Sequence, residues 1–256
     1  MNYFIHIKLE DIILGKAVIS DAIKNNVSGF EIVITESFLV DYVNADNDVF
    51  KRVQNFTEGK LVSVHLPFYD LNFGSPDRRI CEYSFNSIIS GLDFAERIRA
   101  QIAVSHLGYN VKLSKNSTEK WFRLFIAVKE KIEKYASQIG ITVVWENTYE
   151  KDFYLFDKMI EFNPETAFCL DIGHCNCFAD FSAVEFFNRY QKNIRHFHLH
   201  DNEGTEDSHL APGNGNIDFT QVLDIINKST ANTAIFELEF DRFERSAEYI
   251  KKLFLL

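Results

Sequence analysis

The chain has 256 residues, 46% hydrophobic and 25% charged, which excludes a disordered or low-complexity protein and predicts one large domain, residues 1–256. Only 4 Pro and 11 Gly exclude collagen-like and Pro-rich designs, and 25 Phe predict a core rich in rings. Against 37 Asp and Glu stand 27 Lys and Arg, a net charge of −10, so the broad basic surface of a sequence-independent nucleic-acid binder is missing.

The start, MNYFIHIKLED, carries no basic segment followed by an apolar run, so no signal peptide is expected. No stretch approaches the roughly 18 uncharged apolar residues of a membrane span. Cys81, Cys169, Cys175 and Cys177 show no framework spacing. All four are expected reduced, which suits a cytoplasmic protein.

Short apolar runs predict strands at Tyr3–Ile7, Gly29–Ile34, Leu61–His65, Ile102–His106, Ile141–Glu146, Ala167–Asp171, Ile194–Leu199 and Ala234–Leu238. They are apolar almost throughout, the mark of parallel strands covered on both faces by helices. Between them run amphipathic stretches. In Thr118–Gln138, Trp121, Phe125, Val128, Ile132 and Tyr135 recur at helical spacing. Phe85–Ala100, Phe181–Gln191, Phe219–Asn227 and Phe243–Phe254 read as further helices. Eight such units in a chain of this length predict a single (β/α)₈ TIM barrel. A doubly wound sheet is the alternative, but the turn after the first strand, IKLEDIILGK, lacks a Gly-rich phosphate loop.

A barrel enzyme carries its chemistry at the carboxyl ends of its strands. Here those ends read His65 (LVSVH), His106 (IAVSH), Glu146 (VVWEN), Asp171 with His174 (CLDIGH), His198 (HFHLHD) and Glu237 (IFELE). The loop after the seventh strand adds Asp207 and His209 (EDSHLAPGNG). A single His or Glu at a strand end is usually structural. Convergent carboxylates, however, are too costly to bury unless cations neutralise them. The pattern therefore predicts a divalent-metal site. Imidazole and carboxylate without thiolate suit Zn²⁺ or Mn²⁺, and also Fe²⁺ or Co²⁺, better than Mg²⁺ or Ca²⁺. Cys175 and Cys177 are expected to be structural rather than ligands.

Other polar residues receive blander readings. His6 is expected as a packed lower-layer residue, and His196 as packing beneath His198. His200 and Asp201 could support the site from behind. Glu31 and Glu36 could reach substrate or cap the next helix. Arg78, Arg79, Lys112 and Lys115, placed in loops above strands three and four, are the cations best positioned to meet an anionic substrate.

The motifs HLPFYDLNFGSPD, SHLGY, WENTYE, CLDIGHC, HLHDNEG, DSHLAPGNGNIDF and FELEF, in this order, resemble the xylose-isomerase-like TIM-barrel superfamily, which includes endonuclease IV and many sugar isomerases and epimerases. The likeness covers nearly the whole chain. Resemblance to endonuclease IV implies up to three zinc ions. His65, His106 and Glu146 would hold the first. Glu146 would bridge to a second, shared with Asp171, His198 and Glu237. His174, Asp207 and His209 would hold the third. The chain departs from the nuclease in carrying His200 in place of Asn and Phe68 in place of a DNA-wedging Tyr. Resemblance to the epimerases implies one Mn²⁺ or similar ion on Glu146, Asp171, His198 and Glu237. There Glu146 and Glu237 would exchange a proton beside a carbonyl, with His174 on substrate. An Arg often found after the strand-seven His in that branch is missing, since residues 199 to 216 contain no Arg or Lys.

Two readings follow. The favoured one is a multinuclear-metal phosphoester hydrolase acting on a small molecule rather than duplex DNA. The alternative is a metal-dependent sugar or sugar-phosphate isomerase or epimerase. Glu146, Glu237 and His174 are the expected catalytic residues in this scheme.

Overall fold

A computed structural model describes residues 1–17, 19–35, 47–238, 250 and 252. Eight strands pair in parallel and close in sequence order into a barrel. They are β1 (Asn2–Lys8), β2 (Gly29–Val33), β3 (Leu61–His65), β4 (Ile102–His106), β5 (Thr142–Glu146), β6 (Phe168–Asp171), β7 (Ile194–Leu199) and β8 (Thr233–Phe236). The closing pair sets Asn2 opposite Thr233 and Ile5 opposite Phe236, which rules out the open doubly wound sheet.

The described helices are α1 (Leu9–Ile13), α2 (Asp21–Asn26), α3 (Asn47–Phe56), α4 (Arg78–Arg97), α5 (Lys115–Gln138), α6 (Tyr154–Phe162), α7 (Ile172–Cys177), α8 (Ala183–Tyr190) and α9 (Phe219–Lys228). Periodicity alone starts α4 and α5 too late. Asp77 caps α4 by accepting from the Arg79 amide at 2.9 Å, so the helix begins where the apolar pattern does not yet show. Arg78, Arg79 and Lys115 are therefore in first helical turns, not in loops. Arg78 is paired with Glu82 and Arg79 with Asp77, and neither lines the barrel mouth. The helix expected at Phe243–Phe254 lies outside the described residues apart from positions 250 and 252, as does Glu36.

Most apolar side chains fill the shell between strands and helices. There Trp121 stacks on Phe125 with ring centroids 4.8 Å apart, and Phe153, Phe156, Phe168, Phe186 and Tyr190 form a second ring cluster. The barrel interior holds a smaller apolar group, Val104, Val144, Ala167 and Cys169. Glu31, Ser63, His196 and Thr233 add buried polar groups to that interior.

After β7 the chain folds back on itself. Asp201 and Leu210 pair antiparallel, each amide donating to the other's carbonyl at 2.7 Å. The buried Asp201 carboxylate then accepts from the amides of Asn202, Gly213 and Gly215 at 2.9 Å and of Ile217 at 3.2 Å. Gly215 is needed here, because a Cβ would meet Asp201 Oδ1 at 2.4 Å. One side chain thus ties down the loop that carries Asp207 and His209. Asp201→Ala leaves four amides without their acceptor and is expected to destabilise the protein by about 3 kcal/mol. Denaturant unfolding checks the stability, and hydrogen exchange should show the loss of protection starting at residues 213–217.

Candidate metal centre

The carboxyl ends of the strands bring all nine predicted ligands to one rim. Five groups of ligand atoms, each within 4.8 Å of one another, form among the described residues, and three of them hold the predicted ligands: His65, His106 and Glu146; Glu146, Asp171, His198 and Glu237; and His174, His200, Asp207 and His209. The first two share Glu146, which is fully buried. Its Oε2 lies 2.9 Å from His106 Nε2 and 3.3 Å from His65 Nε2, while Oε1 lies 2.8 Å from His198 Nδ1. Glu237 Oε2 is 3.2 Å from the same His198 nitrogen and Asp171 Oδ2 3.7 Å.

Local structure explains how these side chains are aimed. Asp171 ends β6 and caps α7, its Oδ1 accepting from the His174 amide at 2.6 Å. That leaves Oδ2 facing the centre without a hydrogen-bond partner. Imidazoles use one nitrogen as an anchor. His65 Nδ1 donates to the Leu66 carbonyl at 3.0 Å, His174 Nδ1 to that of Asn147 at 2.9 Å, and His209 Nδ1 to that of Glu237 at 2.8 Å. Each then turns Nε2 toward the centre, the arrangement that fixes tautomer and aim in metal-binding histidines. His209 holds a left-handed backbone, φ 45°, to do this.

Several residues differ from their expected roles. Glu31 neither caps a helix nor lines the mouth. It is buried beneath the centre, 2.9 Å from His198 Nε2 and 3.0 Å from His196 Nε2, and accepts from Ser63 Oγ at 2.8 Å. His6 is not a lower-layer residue: it lines the mouth, its Nδ1 3.8 Å from Glu237 Oε1. Asn147 carries no signal in the sequence beyond its place in WEN. It clamps β5 to β6, donating to the Asp171 carbonyl and accepting from the Asp171 amide, both at 2.9 Å. His200 joins the third group instead of standing behind it. Cys175 and Cys177 fall in none of the groups found among the described residues; Cys175 Sγ accepts from Asn147 Nδ2 at 3.4 Å. Cys169 does neighbour Glu146 and His198, and burial pushes its thiol well up.

Electrostatics follow from crowding. Burial alone would raise Glu146, yet His198 and His106 hold it well below the usual carboxylate range. Glu237 is lowered against its burial in the same way, chiefly by His198. Burial opposes charge on the imidazoles as well. His174 is nevertheless raised well above its ordinary value by Asp171 and Asp207, and His209 is pushed up to about 9 by its Asp207 bond and by Glu237. Without cations, protons take up the balance of charge. Asp171 Oδ2, Glu237 Oε2, Asp207 Oδ1 and both ring nitrogens of His200 are buried without a hydrogen-bond partner. The donor set, nitrogen and carboxylate oxygen, fits divalent ions of the zinc type.

Above the centre opens a cavity of about 620 Å³. Phe68 forms one wall, its ring 4.9 Å from that of His65 and 4.8 Å from that of His106. The exposed rings of Tyr69 and Tyr149 flank the entrance. Lys8, at the end of β1, is the one Lys or Arg among the described lining residues, a position that sequence reading passes over in favour of Arg78, Arg79, Lys112 and Lys115.

Comparison with known proteins bears on the fold. Uncharacterized protein MJ1614 of Methanocaldococcus jannaschii is 32% identical over 173 residues, 66% of this chain and 67% of that protein. The TTHB071 protein of Thermus thermophilus, in crystals soaked with ZnCl2, superposes with a TM-score of 0.82 at 21% identity, covering 99% of this chain and 98% of that one. A D-tagatose 3-epimerase-like protein gives 0.80 at 22% identity, covering 99% and 97%. Endonuclease IV, also from Thermus thermophilus, gives 0.64 at 14% identity, covering 99% and 98%. The family model described as xylose isomerase-like TIM barrel matches residues 19–253, and the chain belongs to that family.

Proposed function

We propose that the protein is a multinuclear-metal phosphoester hydrolase acting on a small molecule. The observation that carries this reading is the division of Glu146, with one oxygen serving His65 and His106 and the other serving His198 beside Asp171 and Glu237. A carboxylate shared between two ligand groups could serve an ion in each. An epimerase base needs an oxygen free to reach a substrate carbon, and Glu146 has neither oxygen to spare. The intact third group also has no necessary task in a one-metal isomerase.

His65, His106 and Glu146 would hold one ion, Asp171, His198 and Glu237 with Glu146 a second, and the His174 group a third. Zn²⁺ or Mn²⁺ fits the donors. Bound there, such ions supply Lewis acidity toward a phosphoryl group and make water more acidic. The remaining work falls to the chain. Glu31 and Asn147 orient His198 and His174, Phe68 keeps water from one side of the mouth, and Lys8 offers a positive charge to an anionic ester. One lining cation among the described residues of an acidic chain supports a small ester over a polyanion such as duplex DNA. No described helix is long and apolar enough to cross a membrane.

The test is a reconstituted protein, free of chelator, assayed on phosphomonoesters and phosphodiesters and, in parallel, for solvent deuterium uptake by ketoses. Two or more ions per chain with ester hydrolysis is the expected result. One ion per chain with carbon–hydrogen exchange would establish the isomerase instead. Glu146→Gln should lose activity on the order of 100-fold or more and release metal from both of its groups, read by elemental analysis.

Protonation and metal binding are linked. His209 has its folded value raised from 6.5 to about 9, so in the metal-free protein it contributes stability fully present below pH 6.5 and lost as pH rises through 9. The ion must displace these protons, so its affinity should rise over the same window. Melting temperature in chelator is therefore expected to fall from pH 6.5 to 9, while stabilisation by added Zn²⁺ grows, reaching about 4 kcal/mol at a thousandfold excess over Kd. Melting curves with the same pH dependence in both conditions would contradict the linkage.

A further inference from the structure

The third ligand group holds one residue more than the family resemblance implies. His174, His200, Asp207 and His209 each offer an atom within 4.8 Å of the others. His200 is fully buried, and neither of its ring nitrogens has a hydrogen-bond partner. A buried imidazole with both nitrogens unanswered is costly, and native proteins retain such groups only for a reason. Its Nε2 lies 3.6 Å from Asp207 Oδ1 and 3.2 Å from Asp171 Oδ1, but the latter oxygen already receives the His174 amide.

The ring is placed there by construction. It stacks on His209 with centroids 4.1 Å apart and planes within 3°. Its other face is open only because residue 173 is glycine: a Cβ at Gly173 would meet His200 Cε1 at 1.9 Å and Nε2 at 2.4 Å. Asn202 Nδ2 donates to the Gly173 carbonyl at 2.9 Å and holds the two backbones in this approach. Three imidazoles and one carboxylate make a complete tetrahedral set.

We propose that His200 is the fourth protein ligand of a divalent-metal centre with His174, Asp207 and His209. This centre ties the Asp207–His209 loop to the ends of β6 and β7. The inference rests on the multinuclear reading above.

Co²⁺ titration of the metal-stripped protein tests it, because four-coordinate Co²⁺ absorbs visible light far more strongly than five- or six-coordinate Co²⁺. The wild type should take up three equivalents, one of them adding an intense four-coordinate spectrum that depends on His200. His200→Gln should lose that spectrum and weaken one equivalent by more than the roughly 10–100-fold expected for an outer partner. The other two equivalents should keep their spectra and affinities, which also reports that the variant folds. Gly173→Ala, which leaves the imidazole in the chain but displaces it, should reproduce the spectral change. Three equivalents with the intense spectrum intact in His200→Gln, or absent from the wild type, would overturn the fourth-ligand assignment and leave the hydrolase reading standing. Uptake of a single equivalent by the wild type would overturn that reading and this inference together.

Discussion

Convergence of carboxylates inside the barrel mouth is the constraint around which the rest of the molecule is arranged. Glu31, Glu146 and Asp171 are fully buried, and Glu237 is 8% exposed. Anions so close together and so far from water repel strongly and lose their hydration. Positive charge must be supplied nearby. The protein supplies it through imidazoles, and the surrounding carboxylates raise the proton affinity of His174 and His198 against the effect of burial. Imidazole is also the side chain that can exchange its proton for a metal ion within the physiological range. Proton and metal are thus alternative answers to one electrostatic problem.

Aim matters as much as charge. An imidazole free to rotate would bond with any nearby carboxylate and dissolve the arrangement. The Leu66, Asn147 and Glu237 carbonyls each fix one His by its far nitrogen, and Glu31 lies against the far nitrogen of His198. These carbonyl anchors come from the residues that directly follow β3, β5 and β8. The loop bearing Asp207 and His209 is further tethered by the Asp201 carboxylate, which gathers four amides. A site divided between rigid strand ends and one tethered loop can keep its ligands in register while leaving the mouth open to substrate.

The mouth combines rings with charge of both signs. Phe68, Tyr69 and Tyr149 lie beside Lys8, and Asp70, Asp207 and Glu237 line the same cavity.

Much of this was legible in the sequence, for a physical reason. Parallel strands buried on both faces must be apolar nearly throughout, so eight runs stood out and any polar residue at their ends was conspicuous. Chain order and barrel closure then place His65, His106, Glu146, Asp171, His198 and Glu237 on one rim with no knowledge of side-chain geometry. Sequence could not decide depth or partners. Glu31 and His6 carry no local mark of which layer of the barrel they occupy; only closure, which brings β1 beside β8 and β2 across from β7, sets one under His198 and the other beside Glu237. The helix start at Asp77 was hidden because capping acts before the apolar period begins. His200 reads in sequence as one more residue after a strand. What makes it a candidate ligand is the missing side chain at Gly173, twenty-seven residues earlier, and that approach exists only once β6 and β7 lie side by side.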